Sequence, residues 1–386
     1  MRILWIAAAM CAATMLWMGC DTDNDDNVDS PNAPLARQID SLITATLSPS
    51  IPVHSAVAKV EDPVRDFSWT GSAGEADPES NETMTDNHRF RLASVTKPMT
   101  AALILRLMEE GAVELDSTAW HYLGDGVGVN FDSLHVWQGT TYGKSITVRQ
   151  LLQHTSGLPD YVFDGPTNFL GLTEFLLYAL ANPDKQWEPY EMVQWSYRHL
   201  DPIGAPGAEY HYSDTGYVLL GLIAEVVTGQ PLAQAYRHYI FAPLGMTQSY
   251  LHLHESAVSG GPLSHAFFLS VDTDDYNTSF DWGGGGVVCS ASDLTKFIRA
   301  IGGNSLFENA TTTTFMFDWT MTEPGIEYGM GIEKRTNEHG EFIGHPGAYG
   351  SFAYYWVERG ISIAGTVNQL DGDVEGFLLD VVDVMK

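Results

Sequence analysis

Ser94 precedes Lys97 by three residues in Ala93-Ser94-Val95-Thr96-Lys97, where an apolar run begins that reads as a long helix ending at Gly111. Positions i and i+3 share a helix face, so Ser94 Oγ and the Lys97 ammonium can meet one turn apart. A serine hydroxyl is a weak nucleophile until a base takes its proton. A lysine desolvated at a junction between structural blocks can have the lowered pKa to act as that base. The helix N-terminus would also offer a backbone N–H to a developing oxyanion. Alone, the pair is too common to identify an enzyme. Two other stretches join it: Tyr210-His211-Tyr212-Ser213-Asp214-Thr215-Gly216-Tyr217 before an apolar helix, and Gly344-His345-Pro346-Gly347-Ala348-Tyr349-Gly350-Ser351 at the entry to a strand. By themselves they read as a helix entry capped by Ser213 or Asp214, and as a glycine-rich hairpin with an incidental histidine.

The elements that must position these residues follow from periodicity. Leu35 to Leu47 carries a helical apolar stripe. Ile51 to Val60 and Asp66 to Gly74 read as strands joined by a turn containing proline. Asp116 to Gly260 is rich in helices, with apolar faces over Thr147 to His154, Leu172 to Ala181 and Thr215 to Thr228. Gly283 to Gly286 reads as a loop leading into a helix over Ala291 to Ile301. Strands return at Tyr328 to Lys334, Glu341 to Gly344, Ser351 to Val357 and Ile361 to Val367, and Asp373 to Met385 closes as a helix. The expected fold is mixed α/β: one sheet from both chain ends, residues 35–92 and 285–386, with a helical domain over 93–284 and a cleft between them.

Composition excludes several classes. The 49 Asp and Glu against 19 Lys and Arg give a formal charge of −30, which opposes nucleic-acid binding and adhesion to anionic lipid. Hydrophobic residues at 44% are enough for a core over 386 residues. Three cysteines, Cys11, Cys20 and Cys289, form neither a disulfide framework nor a metal-spaced set. Cys289 reads as a small buried residue. The histidines give no metal site, and no cofactor is expected.

The chain opens Met1-Arg2, continues apolar from Ile3 to Met18 and reaches Gly19-Cys20, which reads as an export signal over 1–19. The junction resembles that of bacterial lipoproteins, which implies lipid on Cys20; the alternatives are a plain signal or an anchor helix. Residues 20–34 read as a self-repelling acidic tether. The expected location is the periplasm or cell surface, with the membrane reached only through that lipid, and the expected state is a monomer.

Together the three chemical stretches resemble the serine β-lactamase and penicillin-binding-protein superfamily, in its class C-like branch. Val148-Arg149-Gln150-Leu151-Leu152-Gln153-His154-Thr155-Ser156-Gly157-Leu158, Pro243-Leu244-Gly245-Met246 and the Gly283 to Phe297 segment are similar to further landmarks of that family. The resemblance spans Leu35 to Leu379. It implies the β-lactamase/transpeptidase-like fold, an antiparallel sheet flanked by terminal helices plus an inserted helical domain. It also implies acyl transfer through a covalent intermediate, on a small-molecule or peptide amide or ester. By match, Ser94 is the nucleophile, Lys97 holds its proton network, and Tyr212 is the partner acid and base. The N–H groups of Ser94 and Ala348 form the oxyanion hole, Gly347 lies beside it, and His345 replaces a common lysine as a donor on the strand.

Two positions depart from the family pattern. Asp214 stands where an asparagine is frequent; an ionised carboxylate accepts hydrogen bonds but cannot donate, and it would hold the lysine charged and oppose a phenolate at Tyr212. Pro346 stands where hydroxyl residues are common, and it has neither hydroxyl nor N–H for a substrate carboxylate. That lowers β-lactamase and carboxypeptidase relative to esterase, with D-amino-acid peptidase still open. The reading from another class is a tethered binding protein that has lost turnover. An α/β-hydrolase is a weaker rival, since no Gly-x-Ser-x-Gly elbow occurs.

Overall fold

A computed structural model describes residues 32–47, 53–268, 271–370 and 372–386. The leader over 1–19, Cys20 and most of the 20–34 tether lie outside the described residues.

Among the described residues, nine strands form one antiparallel sheet. In spatial order they are Thr320–Glu323, Ile326–Tyr328, Glu333–Asn337, Gly340–Pro346, Ser351–Trp356, Ile361–Thr366, Ser55–Asp62, Phe67–Asp77 and Glu82–Thr83. The two chain ends meet where Val57 pairs with Thr366 and Val60 with Ile363. The N-terminal helix Ala33–Ala45 and the C-terminal helix Val374–Met385 cover one face, burying Ile39, Ile43, Phe377 and Val381 against Phe352, Tyr354 and Trp356. Helix Ala291–Gly302 packs on the other face, and the helical block continues from it in one apolar core.

Alternation explains the strands: Phe67 and Trp69 are buried, whereas Ser68 between them is exposed. The expected strand over Tyr328 to Lys334 is interrupted. Gly331 has φ +74°, and a Cβ there would lie 2.5 Å from the Cβ of Ala101, so the chain leaves the sheet to touch the helix that follows Ser94. The expected loop at Gly283 to Gly286 is instead a short helical turn, Trp282–Gly285. The β-branched, apolar Val287–Ser290 after it is a strand paired with Arg89–Arg91 and Tyr250–Leu251. This small sheet joins the two halves of the molecule. Cys289 lies within it, free and wholly buried.

In the helical block, Asp214–Thr228 packs against Lys97–Glu109, Val148–Leu152 and Pro189–His199. It stops where Gly229 adopts a left-handed φ of 65° and its N–H closes on Glu225 O. This convergence brings the N-termini of Asp214–Thr228 and Lys97–Glu109 together.

Candidate active site

Ser94 lies in a 3₁₀ turn, Ala93–Thr96, that runs into helix Lys97–Glu109. Pro98 in the first turn of that helix needs no donor there. Ala93 has φ +43°, which a side chain disfavours. The turn is held from both sheets: Leu92 N–H donates to Val287 O at 2.9 Å, and Ser351 Oγ donates to Leu92 O at 2.6 Å. Backbone strain of this kind persists only where the surrounding structure over-determines it.

Lys97 is wholly buried. Its Nζ lies 3.1 Å from Ser94 Oγ, 3.0 Å from Gly284 O and 2.5 Å from Asp214 Oδ1. An ammonium has three protons, and these three acceptors take all of them. The same nitrogen stands over the rings of Tyr212 at 4.7 Å and Tyr217 at 5.6 Å. Only glycine fits at 284, because a Cβ would come within 2.5 Å of Asp214 Oδ1. Asp214 N–H donates to Asp160 Oδ2 at 3.2 Å, and Asp160 Oδ1 also accepts from Val162 N–H at 2.7 Å. Burial and then the charge of Asp214 push Asp160 well above the usual carboxylate range.

The Tyr212 hydroxyl is buried and, among the described residues, closes no well-formed hydrogen bond. Burial first and the Asp214 charge second push it well above the usual phenol value, while the nearness of Ser94 pulls the other way. At neutral pH Tyr212 is a phenol.

The strand side differs from expectation at His345. Ser213 N–H donates to His154 Nδ1 at 3.0 Å, so the proton of the neutral His154 is on Nε2, 3.2 Å from the Tyr328 oxygen. Tyr328 O–H then donates to His345 Nε2 at 3.1 Å, and His345 Nδ1–H donates to Pro346 O at 2.6 Å. Burial, reinforced by the Lys97 charge, holds His345 down at about 3 and His154 well below its ordinary value. His345 therefore has no N–H left for a substrate and no charge to replace a lysine's. Gly347 N–H is likewise taken, by Ser351 O at 2.8 Å. Among the described residues, the N–H groups of Ser94 and Ala348 enter no backbone hydrogen bond, and both residues line one cleft.

That cleft is walled by Tyr161, Phe163, Leu172, Leu176 and Phe280, with Asp214, Asp281, Tyr349 and the Thr273, Tyr276, Asn277 and Thr278 rim among its polar members. Sequence reasoning assigned no role to Asp160, Tyr328, Asp281 or Tyr349, and treated His154 only as part of a landmark. The sole signal was proximity in the chain: Asp160 follows Leu158-Pro159, and Tyr349 follows Ala348. The structure also gathers His265, Asp272 and Asp274, which sequence spacing did not. Their atoms are already committed: His265 Nδ1 to Asp272 at 2.6 Å, and Asp274 to Arg91, whose guanidinium opposes a cation.

The family profile named Beta-lactamase matches residues 56–382. A D-stereospecific amidohydrolase from Streptomyces sp. superposes with a TM-score of 0.73 at 30% identity, over 89% of this chain and 97% of that one. Penicillin-binding protein 4* of Bacillus subtilis (strain 168) is 24% identical over 311 residues, 75% of this chain and 62% of the relative. Esterase EstB of Burkholderia gladioli is 31% identical over 176 residues, 45% of this chain and 41% of the relative. The chain thus spans less than two thirds of the length of these two curated relatives.

Proposed function

The chain belongs to the beta-lactamase family, and we propose on that premise that it is a serine hydrolase which transfers the acyl group of an amide or ester to Ser94 and then to water. One observation carries this reading: Lys97 Nζ stands 3.1 Å from Ser94 Oγ at the edge of an apolar cleft. Ser94 Oγ bonds to the carbonyl carbon while its proton passes to Lys97, which has released one of its own protons to Asp214 Oδ1. The carbonyl electron pair moves onto the oxygen, which faces the N–H groups of Ser94 and Ala348. Tyr212, a phenol at neutral pH, stands beside Lys97 to protonate the departing alkoxide or amine. Water then attacks the acyl-serine, its proton follows the reverse route, and the acid leaves. Within this class, an esterase or amidase is favoured over a β-lactamase or carboxypeptidase. Pro346 and His345 supply the strand with no side-chain donor or cation for a substrate carboxylate.

The test is intact mass after exposure to a fluorophosphonate and, separately, to a penicillin. A fluorophosphonate adduct that disappears in Ser94→Ala is expected, with slow or no penicilloylation. No adduct from either reagent would turn the reading to a binding protein without turnover. The Gly19-Cys20 junction and the acidic segment after it support export and a lipid anchor; Cys20→Ser should then move the protein to the soluble fraction.

A further inference from the structure

We propose that Asp281 is a positioning residue for the oxyanion hole: through the hydroxyl of Tyr349 it fixes the turn that presents the Ala348 N–H to the acyl group on Ser94. The proposal rests on the serine-hydrolase reading and adds to that site a pair of residues that act through Ala348 rather than on the reacting atoms.

Ala348 sits at the apex of a tight turn. Gly350 N–H donates to Gly347 O at 2.9 Å and Gly347 N–H to Ser351 O at 2.8 Å, which leaves the Ala348 N–H outside the turn's own bonds. That N–H shares a planar peptide unit with Gly347 O, so its direction follows from how the turn is held. One end of the turn rests on the nucleophile turn: a Cβ on Gly347 would overlap Leu92 O and Ser351 Oγ, so only glycine permits this approach. The other end is held by Tyr349, whose hydroxyl donates to Asp281 Oδ2 at 2.8 Å. Thr366 Oγ1 adds only a long bond to Tyr349 O, at 3.4 Å.

Asp281 can serve as an anchor because the chain beyond it is fixed. Trp282 has φ +29°, a conformation a side chain disfavours, and its ring is wedged beside Gly221, where a Cβ would lie 2.6 Å from Trp282 Cζ3. The next two residues serve the helical side of the site: Gly283 O accepts from Thr100 Oγ1 at 2.5 Å, and Gly284 O from Lys97 Nζ at 3.0 Å. A Cβ on Gly285 would lie 3.2 Å from the Cβ of Asp281 and 3.5 Å from the Cα of Ala93, so Gly285 lets this turn pack directly on the nucleophile turn. The stretch 281–285 therefore fixes both an acceptor of Lys97 and, through Tyr349, the oxyanion donor. Burial first and the Asp281 charge second hold Tyr349 well above the ordinary phenol value, so it stays a donor. Burial first, with the Asp214 charge adding and Tyr349, Arg91 and Lys97 opposing, pushes Asp281 up to about 7. A carboxyl oxygen accepts from Tyr349 whether or not the group is ionised, so the anchor holds across neutral pH.

The test measures kcat and KM for p-nitrophenyl acetate in Tyr349→Phe, Asp281→Ala, the double variant and Asp281→Asn. Acylation and deacylation both pass through an oxyanion, so each of the first two should lower kcat about ten- to hundredfold, with KM within about twofold of the parent. The double variant should fall no more than about threefold below the slower single one, because both substitutions cut the same bond. Asp281→Asn, whose amide oxygen still accepts from Tyr349, should turn over at least about threefold faster than Asp281→Ala. A kcat in Tyr349→Phe within about fivefold of the parent overturns the proposal and leaves the hydrolase standing. That variant loses a single oxygen atom, so this outcome does not depend on whether Asp281→Ala folds. Losses that multiply in the double variant, or that fall on KM alone, overturn the proposal as well. Absence of turnover in the unaltered protein overturns the hydrolase reading, and the positioning role with it.

Discussion

The two walls that meet at Ser94 are built on opposite electrostatic plans. The helical wall is charged: Lys97 and Asp214 touch at the N-termini of two helices, with Asp160 behind them. The strand wall is neutral: His154, Tyr328 and His345 form one chain of hydrogen bonds anchored at both ends by backbone groups, and burial keeps both imidazoles uncharged. In the proposed mechanism, proton movement belongs to the helical wall, where Lys97 and Asp214 are paired. The strand wall would contribute shape and the Ala348 N–H, with its side chains locked.

Breaking the charged wall should have the largest effect. Lys97→Met removes the proton acceptor of Ser94 and should lower kcat by several powers of ten in an ester assay. It also strands buried carboxylates, at a cost of about 3–5 kcal/mol in denaturant unfolding. Adding Asp214→Asn should recover much of that stability and none of the rate; recovered rate would remove Lys97 from the chemistry.

Asp214→Asn alone sharpens the contrast. The charge of Asp214 is a secondary cause, after burial, of the raised Tyr212. With the charge gone, Tyr212 ionises at lower pH and the phenol that protonates the leaving group is lost sooner, so the falling limb of kcat/KM should move to lower pH by on the order of one unit. Overlaid profiles would mean that the charge is not felt at the reacting proton.

The smallest effect belongs to the neutral wall. Tyr328→Phe leaves His154 Nε2–H and His345 Nε2 without partners, costing about 1–3 kcal/mol of stability. The rate should fall less than tenfold, and the pH profiles of the two proteins should overlay near pH 6.5, since both imidazoles stay neutral there. A new limb in that region would show that the wall can be charged.

What the sequence made legible divides along the same line. The Ser94–Lys97 spacing needs only helix geometry, and apolar periodicity was enough to expect a sheet from both chain ends around a helical block. The proximity of Asp214 to Lys97 was expected from family resemblance, since nothing local links residues 117 positions apart. The neutral wall was not legible. His345 read as a donor because its two hydrogen bonds depend on Tyr328, which arrives from a strand two places away in the sheet, and on its own neighbouring carbonyl. Asp281 escaped notice because its meaning lies in the cleft, where Tyr349 and Gly285 meet it, and no spacing encodes that. The interruption at Gly331 and the strand at Val287–Ser290 were misread for one reason: tertiary contacts overrode local pattern.

The pairing of Ser55–Asp62 with Ile361–Thr366 also dictates an order of events during synthesis. As the chain emerges, the Ser55–Asp77 hairpin is complete long before its neighbour in the sheet has been translated. One edge of that hairpin must wait, unpaired, until Ile361–Thr366 has been made, 299 positions after Asp62. An unpaired edge of this kind is a site for wrong partners, and contacts this distant in sequence close slowly. Loss of a few dozen residues from the C-terminus would leave the hairpin edge open and the helical block unattached to a completed sheet.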